Sequence, residues 1–351
     1  MKYRFLKQPV YCQKEIYETA AQKIADYAAG FSEVLAVYKM GNVSVPGISD
    51  LDMIVVLGDE ATIPDFAFPT ILNTVEKYTL MHSVFVVTET FWRNRQLYYV
   101  YDNLHHLRGE KKLTAENFDE KLLKHLATRF AIQHILRAYA SVFAQLTSGY
   151  LKVRSTLCEL HALRYDIPAL ETFLEEEHRA EFASVAGDIA HLRKTWFETE
   201  TELAAKKFLE ICDVTKRFLR KTIIALNRSF TEGKHLNGSP VALPKIAISK
   251  SREIYFEADK AMEISGASSR LARAASRLPL PAKMHLKINN NLGYYQLILP
   301  LSIYDFMCDS DTPVLNQYTT IMKRRQEILL SPGMQQIRKK GYAVPLLDFQ
   351  I

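Results

Sequence analysis

Asp50 and Asp52 are the residues of this chain whose type and spacing most directly suggest chemistry. They flank Leu51 and lead into Met53-Ile54-Val55-Val56-Leu57, a β-branched, apolar run of the composition expected for a buried strand. Strand side chains alternate, so two acids one residue apart project to the same face while Leu51 points into the core. Two hard oxygen donors held this close suit Mg2+ or Mn2+, which is commonly bound through one or two carboxylates together with substrate phosphates. Just upstream, Gly41 opens a turn-rich loop that also holds Asn42, Ser44, Pro46, Gly47 and Ser49. Glycine lets a backbone approach a phosphate closely, and Asn42 and Ser44 can donate hydrogen bonds to it. Ser49, next to the first acid, is counted in the same ligand-facing set.

The elements that must position these residues are legible on either side. Lys14–Ala29 carries Ile16, Ala20, Ile24 and Tyr27/Ala28 at helical spacing and ends at Gly30. Leu35–Tyr38 reads as a strand before the loop. After the acids' strand, Gly58 and the Pro64/Pro69 region form a loop, Thr70–Tyr78 a helix, and His82–Val87 a further strand. An Asp-x-Asp pair alone is a weak signal. Asp309-Ser310-Asp311 repeats it, but Thr312-Pro313 follows and no apolar strand does, so that pair reads as a turn and helix cap.

The conjunction at Gly41-Asn42 … Ser49-Asp50-Leu51-Asp52-Met53-Ile54-Val55-Val56 resembles the signature of the polymerase β-like nucleotidyltransferase superfamily. The resemblance covers roughly residues 34–109. It implies a mixed-sheet catalytic domain. In that superfamily the aspartate pair and a third carboxylate on a neighbouring strand hold two divalent ions, which orient a nucleoside triphosphate for attack by an acceptor hydroxyl while pyrophosphate leaves. On this chain the resemblance implies catalytic and metal-binding roles for Asp50 and Asp52. It also implies a triphosphate cradle at Gly41, Asn42, Ser44 and Ser49.

This sequence departs from the family pattern twice. Asn42 stands where the family has Ser or Gly, and it keeps a donor for phosphate. The expected third-acid strand, Met81–Thr88, holds no Asp or Glu before Glu89; His82 or Ser83 stands near the acid's place. Imidazole binds metals but is a softer ligand than carboxylate. Three readings follow: a one-metal variant, a base supplied elsewhere with His82 as candidate, or a domain that has lost catalysis.

The rest of the chain reads as α+β with three parts: residues 1–113 as the nucleotidyltransferase-like domain, 114–230 as a helical bundle, and 231–351 as a small C-terminal α/β unit after a linker. At 351 residues there is room for two or three cores. Phe118 onward is helical, with apolar faces continuing through Tyr150–Tyr165, Ala169–Phe182, Val185–Phe197 and Glu200–Asn227. Lys216/Arg220 and Arg217/Lys221 are i,i+4 pairs on the last of these. A solvated helix face accounts for them, while the resemblance implies that Lys216 and Arg220 reach the triphosphate. Further along, Ile254–Glu257 is strand-like, Ala258–Leu278 reads as helix, His285–Ile288 with Tyr294–Leu299 as a hairpin, and Val314–Leu330 as an amphipathic helix with a basic patch at Lys323-Arg324-Arg325.

The aromatic run Phe91 to Tyr101 is better suited to core packing than to base stacking, and His105-His106 to surface or packing positions. The net charge of +6 suits a polyanionic ligand such as a nucleotide or RNA without the excess of a dedicated nucleic-acid packager. Four scattered cysteines without a Cys-x-x-Cys pair, and no apolar run of membrane-spanning length, lead to the expectation of a reduced, cytoplasmic protein. Two functions fit: transfer of a nucleoside monophosphate from an NTP to an acceptor hydroxyl (on a small molecule, a protein side chain or RNA), or non-catalytic nucleotide binding on the same fold.

Overall fold

The computed structural model describes residues 3–98, 103–109, 113–231, 246–248, 254–256, 324–325 and 327–345. The elements in chain order are β1 (Arg4–Leu6), α1 (Lys14–Ala29), β2 (Val34–Met40), β3 (Asp52–Leu57), α2 (Phe68–Ile71), α3 (Thr74–Thr79), β4 (Phe85–Thr88), α4 (Glu89–Arg93) and β5 (Leu104–Arg108). They continue with α5 (Glu120–Ser148), β6 (Tyr150–Lys152), α6 (Val153–Ala162), α7 (Asp166–Leu170), α8 (Glu176–Thr195), α9 (Thr201–Thr231), β7 (Ile246–Ile248), β8 (Ile254–Phe256) and α10 (Pro332–Lys339). The architecture is α+β.

The chain divides into two compact units, one of Lys7–Leu123 with Gln317–Leu347, the other of Met1–Leu6, Lys124–Asn316 and Asp348–Ile351. The first is built on a four-stranded sheet of order β4-β3-β2-β5. β2 runs antiparallel to β3 and β5, and β4 runs parallel to β3. Met53 to Leu57 are wholly buried, as their apolar, β-branched character requires of a strand covered on both faces. The helix expected over Lys14–Ala29 forms with those bounds. Its buried Ala20, Ala21, Ala25 and Ala28 present a stripe of small side chains, and α1 packs on β2 and β5.

Three local expectations are corrected. Thr70–Tyr78 is not one helix: the chain is extended at Leu72, and Asn73 caps a new helix, accepting from the Val75 and Glu76 N–H groups at 2.9 Å each. Glu76 answers through the Asn73 N–H and pairs with Lys23 of α1 at 2.6 Å, so a capping box outweighs helical continuity. The strand expected from His82 begins only at Phe85, leaving His82 on the bend before it. Residues 104–108, read as the end of the first domain, form the edge strand β5.

Residues 324–345, which the sequence reading grouped with the C-terminal unit, belong to the sheet unit. α10 packs on β4, and Val86 N–H donates to Ala343 O at 3.0 Å, adding a bridge at the sheet edge. Tyr342 Oη accepts from Phe66 N–H at 2.7 Å and donates to Pro64 O at 2.8 Å. Arg325, read as part of a basic patch, is fully buried with its guanidinium 5.1 Å from the Tyr98 ring centroid.

The second unit is mainly helical. α8 packs on α9, with Phe182 and Phe218 rings 5.4 Å apart. Tyr150–Lys152, expected to be helical, is instead a short strand paired in parallel with β1, Phe5 opposite Leu151. Its partner lies more than a hundred residues away, which no local pattern reveals. β7 and β8 form an antiparallel pair, with β8 where Ile254–Glu257 was read as strand-like. The expected helix at 258–278, the hairpin at 285–299 and the Asp309/Asp311 turn lie outside the described residues. Among the described residues, no helix is long and apolar enough to cross a membrane.

The docking of α10 is open to test at Gly333, where an added Cβ would lie 2.9 Å from Thr88 Cγ2 and 3.1 Å from Asp59 O. Gly333→Val is expected to lower the unfolding free energy by about 1–3 kcal/mol in urea titrations, the usual cost of overpacking. An unchanged midpoint would mean that α10 does not seat on β4 in solution.

Candidate functional site

The site sits at the head of β3. Leu51 is 1% exposed and points inward, while Asp50 and Asp52 stay partly accessible, as period-two alternation requires. In the register, Met40, the last residue of β2, lies opposite Asp52, so the loop that starts at Gly41 leaves the sheet beside the second acid. Gly41 has φ +72°, a conformation that favours glycine, although an added Cβ would touch nothing within 4 Å. Backbone strain, not crowding, is thus what selects glycine here.

Two tyrosines hold the loop. Tyr17 of α1 accepts the Gly47 N–H at 3.0 Å and donates to Ser49 O at 2.8 Å. Tyr78 of α3 donates to Gly47 O at 2.7 Å and accepts the Val10 N–H at 2.7 Å. Ser49 is buried, and its hydroxyl accepts the Val45 N–H at 3.0 Å. Neither tyrosine carried a motif signal; Tyr17 was visible only as an α1 residue.

Asp50 is the joint between the loop and the bend before β4. Its Oδ1 accepts from Leu51 N–H at 2.9 Å and Met81 N–H at 2.7 Å. That fixes the bend so that His82, the next residue, meets both acids. His82 Nε2 is 2.6 Å from Asp52 Oδ1 and 3.3 Å from Asp50 Oδ2. Nδ1 of the same ring is 2.8 Å from Ser83 O. That contact calls for a proton on Nδ1 and leaves Nε2 to face the carboxylates, as donor when protonated and as a lone pair when not.

Ligand atoms of Asp50, Asp52 and His82 all lie within 4.8 Å of one another. Two carboxylates and one imidazole with its second nitrogen anchored to a carbonyl make a donor set that fits a divalent cation, with Mn2+ matched at least as well as Mg2+. Without a cation, burial opposes the imidazolium, but the hydrogen bond to Asp52 and the charges of Asp50 and Asp52 outweigh it. The His82 pKa is raised to about 9.

The structure therefore brings together Asp50, Asp52 and His82, with Gly41 and its loop alongside. The residues of the expected phosphate cradle either have partners within the protein or face solvent. The Gly41 N–H is taken by Asn103 O at 3.0 Å, and Ser49 serves the loop itself. Ser44 is exposed, with its hydroxyl 3.4 Å from that of Ser49, and Asn42 is exposed. Lys216 and Arg220 lie on α9 in the helical unit, where Lys216 is engaged by Asp213 at 2.8 Å and Arg220 approaches Tyr139. Phe91, Trp92 and Tyr98 are buried in the core. No family model, curated protein or solved structure matches this chain.

The raised His82 pKa carries a pH dependence with a defined sign. A folded pKa near 9 against an unfolded value near 6.5 gives stability that is fully present below pH 6.5 and lost as pH rises through about 9. In chelator-treated protein, the stability difference between wild type and His82→Gln should therefore be largest below pH 6.5 and shrink across that window. A difference that stays level from pH 6 to pH 9.5 would show that the imidazole carries no shifted charge.

Proposed function

We propose that this protein is a metal-dependent nucleotidyltransferase, moving a nucleoside monophosphate from an NTP to an acceptor hydroxyl with release of pyrophosphate. The observation that carries this reading is the convergence of Asp50, Asp52 and His82 at the head of a buried strand, beside a glycine-led loop. The antiparallel β2–β3 pair followed by a parallel β4 supports the nucleotidyltransferase-like arrangement that the sequence resembles. Asp50, Asp52 and His82 would hold Mg2+ or Mn2+, and the bound cation supplies charge neutralisation and orientation of phosphate oxygens. The chain's own contribution is positioning: Tyr17 and Tyr78 keep the loop in place, and Asp50 keeps His82 turned to the site. With few groups needing unusual chemistry, the acceptor is a hydroxyl of a small molecule, a protein side chain or RNA. Cys12, Cys158 and Cys212 form no disulfide among the described residues, which supports a reducing, cytoplasmic setting.

A second reading has its own observation. The imidazole stands where the resemblance calls for a third carboxylate, and this favours a non-catalytic nucleotide-binding protein on the same fold. Incubation with Mg2+ or Mn2+ and labelled NTPs, with pyrophosphate release measured, separates the two. For the enzyme, turnover should fall by more than about a hundredfold in Asp50→Asn and Asp52→Asn, the removal of a ligand costing more than removal of its support. Binding of metal and nucleotide without turnover in any NTP would overturn the enzyme in favour of the second reading.

A further inference from the structure

The face of the sheet that carries Asp52 also carries an arginine with no ion pair among the described residues. Alternation along β3 puts Asp52 and Ile54 on one face, and Ile54 is in register with Tyr38 of β2 and Phe85 of β4. The His82 and Phe85 ring centroids, 4.4 Å apart, lie on that same side. Trp92 of α4 covers the face, stacked on Tyr38 with centroids 4.0 Å apart. On Trp92 in turn lies Arg95, its guanidinium 4.6 Å from the ring centroid. Metal ligands, aromatic floor and cation thus share one side of one sheet.

Arg95 is a partly buried cation with no ion pair to any carboxylate among the described residues. Its Nη1 donates to Trp92 O at 3.2 Å, and its Nε is buried with no acceptor. The flanking side chains share the deficit: Asn94 Oδ1 and Gln96 Oε1 are also buried without partners. Native proteins leave few buried polar atoms unmet, and three in successive residues mark a turn built to receive something. Burial lowers the Arg95 pKa, which is the expense of holding an uncompensated charge. Its place over Trp92 holds the guanidinium while leaving its donors unpaired to any carboxylate among the described residues, and arginine's planar fork is suited to an anion.

We propose that Arg95 binds the polyphosphate of the nucleotide substrate. This rests on the nucleotidyltransferase reading for the identity of the anion, but not for the existence of an anion site. The cation thereby takes the part that the sequence reading gave to Lys216 and Arg220, from within the unit that holds the acids.

The test uses full-length protein, with calorimetric binding of inorganic tripolyphosphate and of ATP to wild type, Arg95→Gln and Arg95→Lys. Mn2+ binding is followed separately by electron paramagnetic resonance. Loss of a charged hydrogen-bonding group should weaken both anions by about tenfold to a hundredfold in Arg95→Gln, with Arg95→Lys falling between. Mn2+ affinity should be unchanged in both variants and lost in Asp52→Asn. Thermal unfolding of each variant distinguishes a folded protein from a collapsed site. Equal anion affinity in wild type and folded Arg95→Gln overturns the proposal while leaving the metal-dependent reading intact. Tripolyphosphate bound through Arg95 with no ATP binding would support the anion site and sink the nucleotide reading instead.

Discussion

The arrangement of the site depends on one carboxylate that is spent mostly on backbone. Asp50 Oδ1 takes the N–H groups of Leu51 and Met81, and so ties the head of β3 to the bend that precedes β4. These are charge-assisted bonds, stronger than neutral ones, placed where two chain segments must stay in step. The same residue keeps Oδ2 turned toward His82. Were the bend free, the imidazole 30 residues along the chain would have no reason to find Asp52. One side chain therefore serves as structural joint and candidate ligand together.

Around that joint the unit is made rigid in layers. The fully buried β3 supplies the foundation, and the loop between β2 and β3 hangs from Tyr17 and Tyr78 at a single glycine, with one tyrosine taking the Gly47 N–H and the other giving to its carbonyl. Both helices that carry these tyrosines are themselves tied, α1 to α3, by the Lys23–Glu76 pair. Glu76 is buried and also closes the capping box with Asn73, so loop placement, helix start and interhelix contact are linked through one acid. A loop supported in this way holds its donors in place before any ligand arrives, which is what positioning chemistry requires.

Much of this was legible in the residues, for reasons that can be named. Period-two alternation placed Asp50 and Asp52 on one side and Leu51 in the core, and helical spacing with Gly30 gave the bounds of α1; both depend on short-range geometry alone. That Met81–Thr88 holds no acid and carries His82 was also visible. What the sequence could not supply was long-range pairing. β1 with β6, Ala343 against Val86, and Tyr342 with Pro64 and Phe66 join segments whose local composition says nothing of one another. Nor could local pattern show that the Gly41 N–H is taken by Asn103 O or that the Ser49 hydroxyl accepts the Val45 N–H.

An imidazole held against two carboxylates has a physical consequence. Three carboxylates in one cluster repel one another and call for more than one cation. Two carboxylates and an imidazole repel less, because the ring takes a proton that offsets one of the two negative charges, and its Nε2 sits 2.6 Å from Asp52. A divalent ion bound there would have to displace that proton, which would couple metal occupancy to proton release. The smaller negative charge of the cluster also leaves less electrostatic demand for a second ion. Should a polyphosphate bind there, as we propose, a cation fixed in the protein would carry more of its neutralisation. Arg95, over Trp92 on the same side of the sheet and with no ion pair among the described residues, is placed to do so.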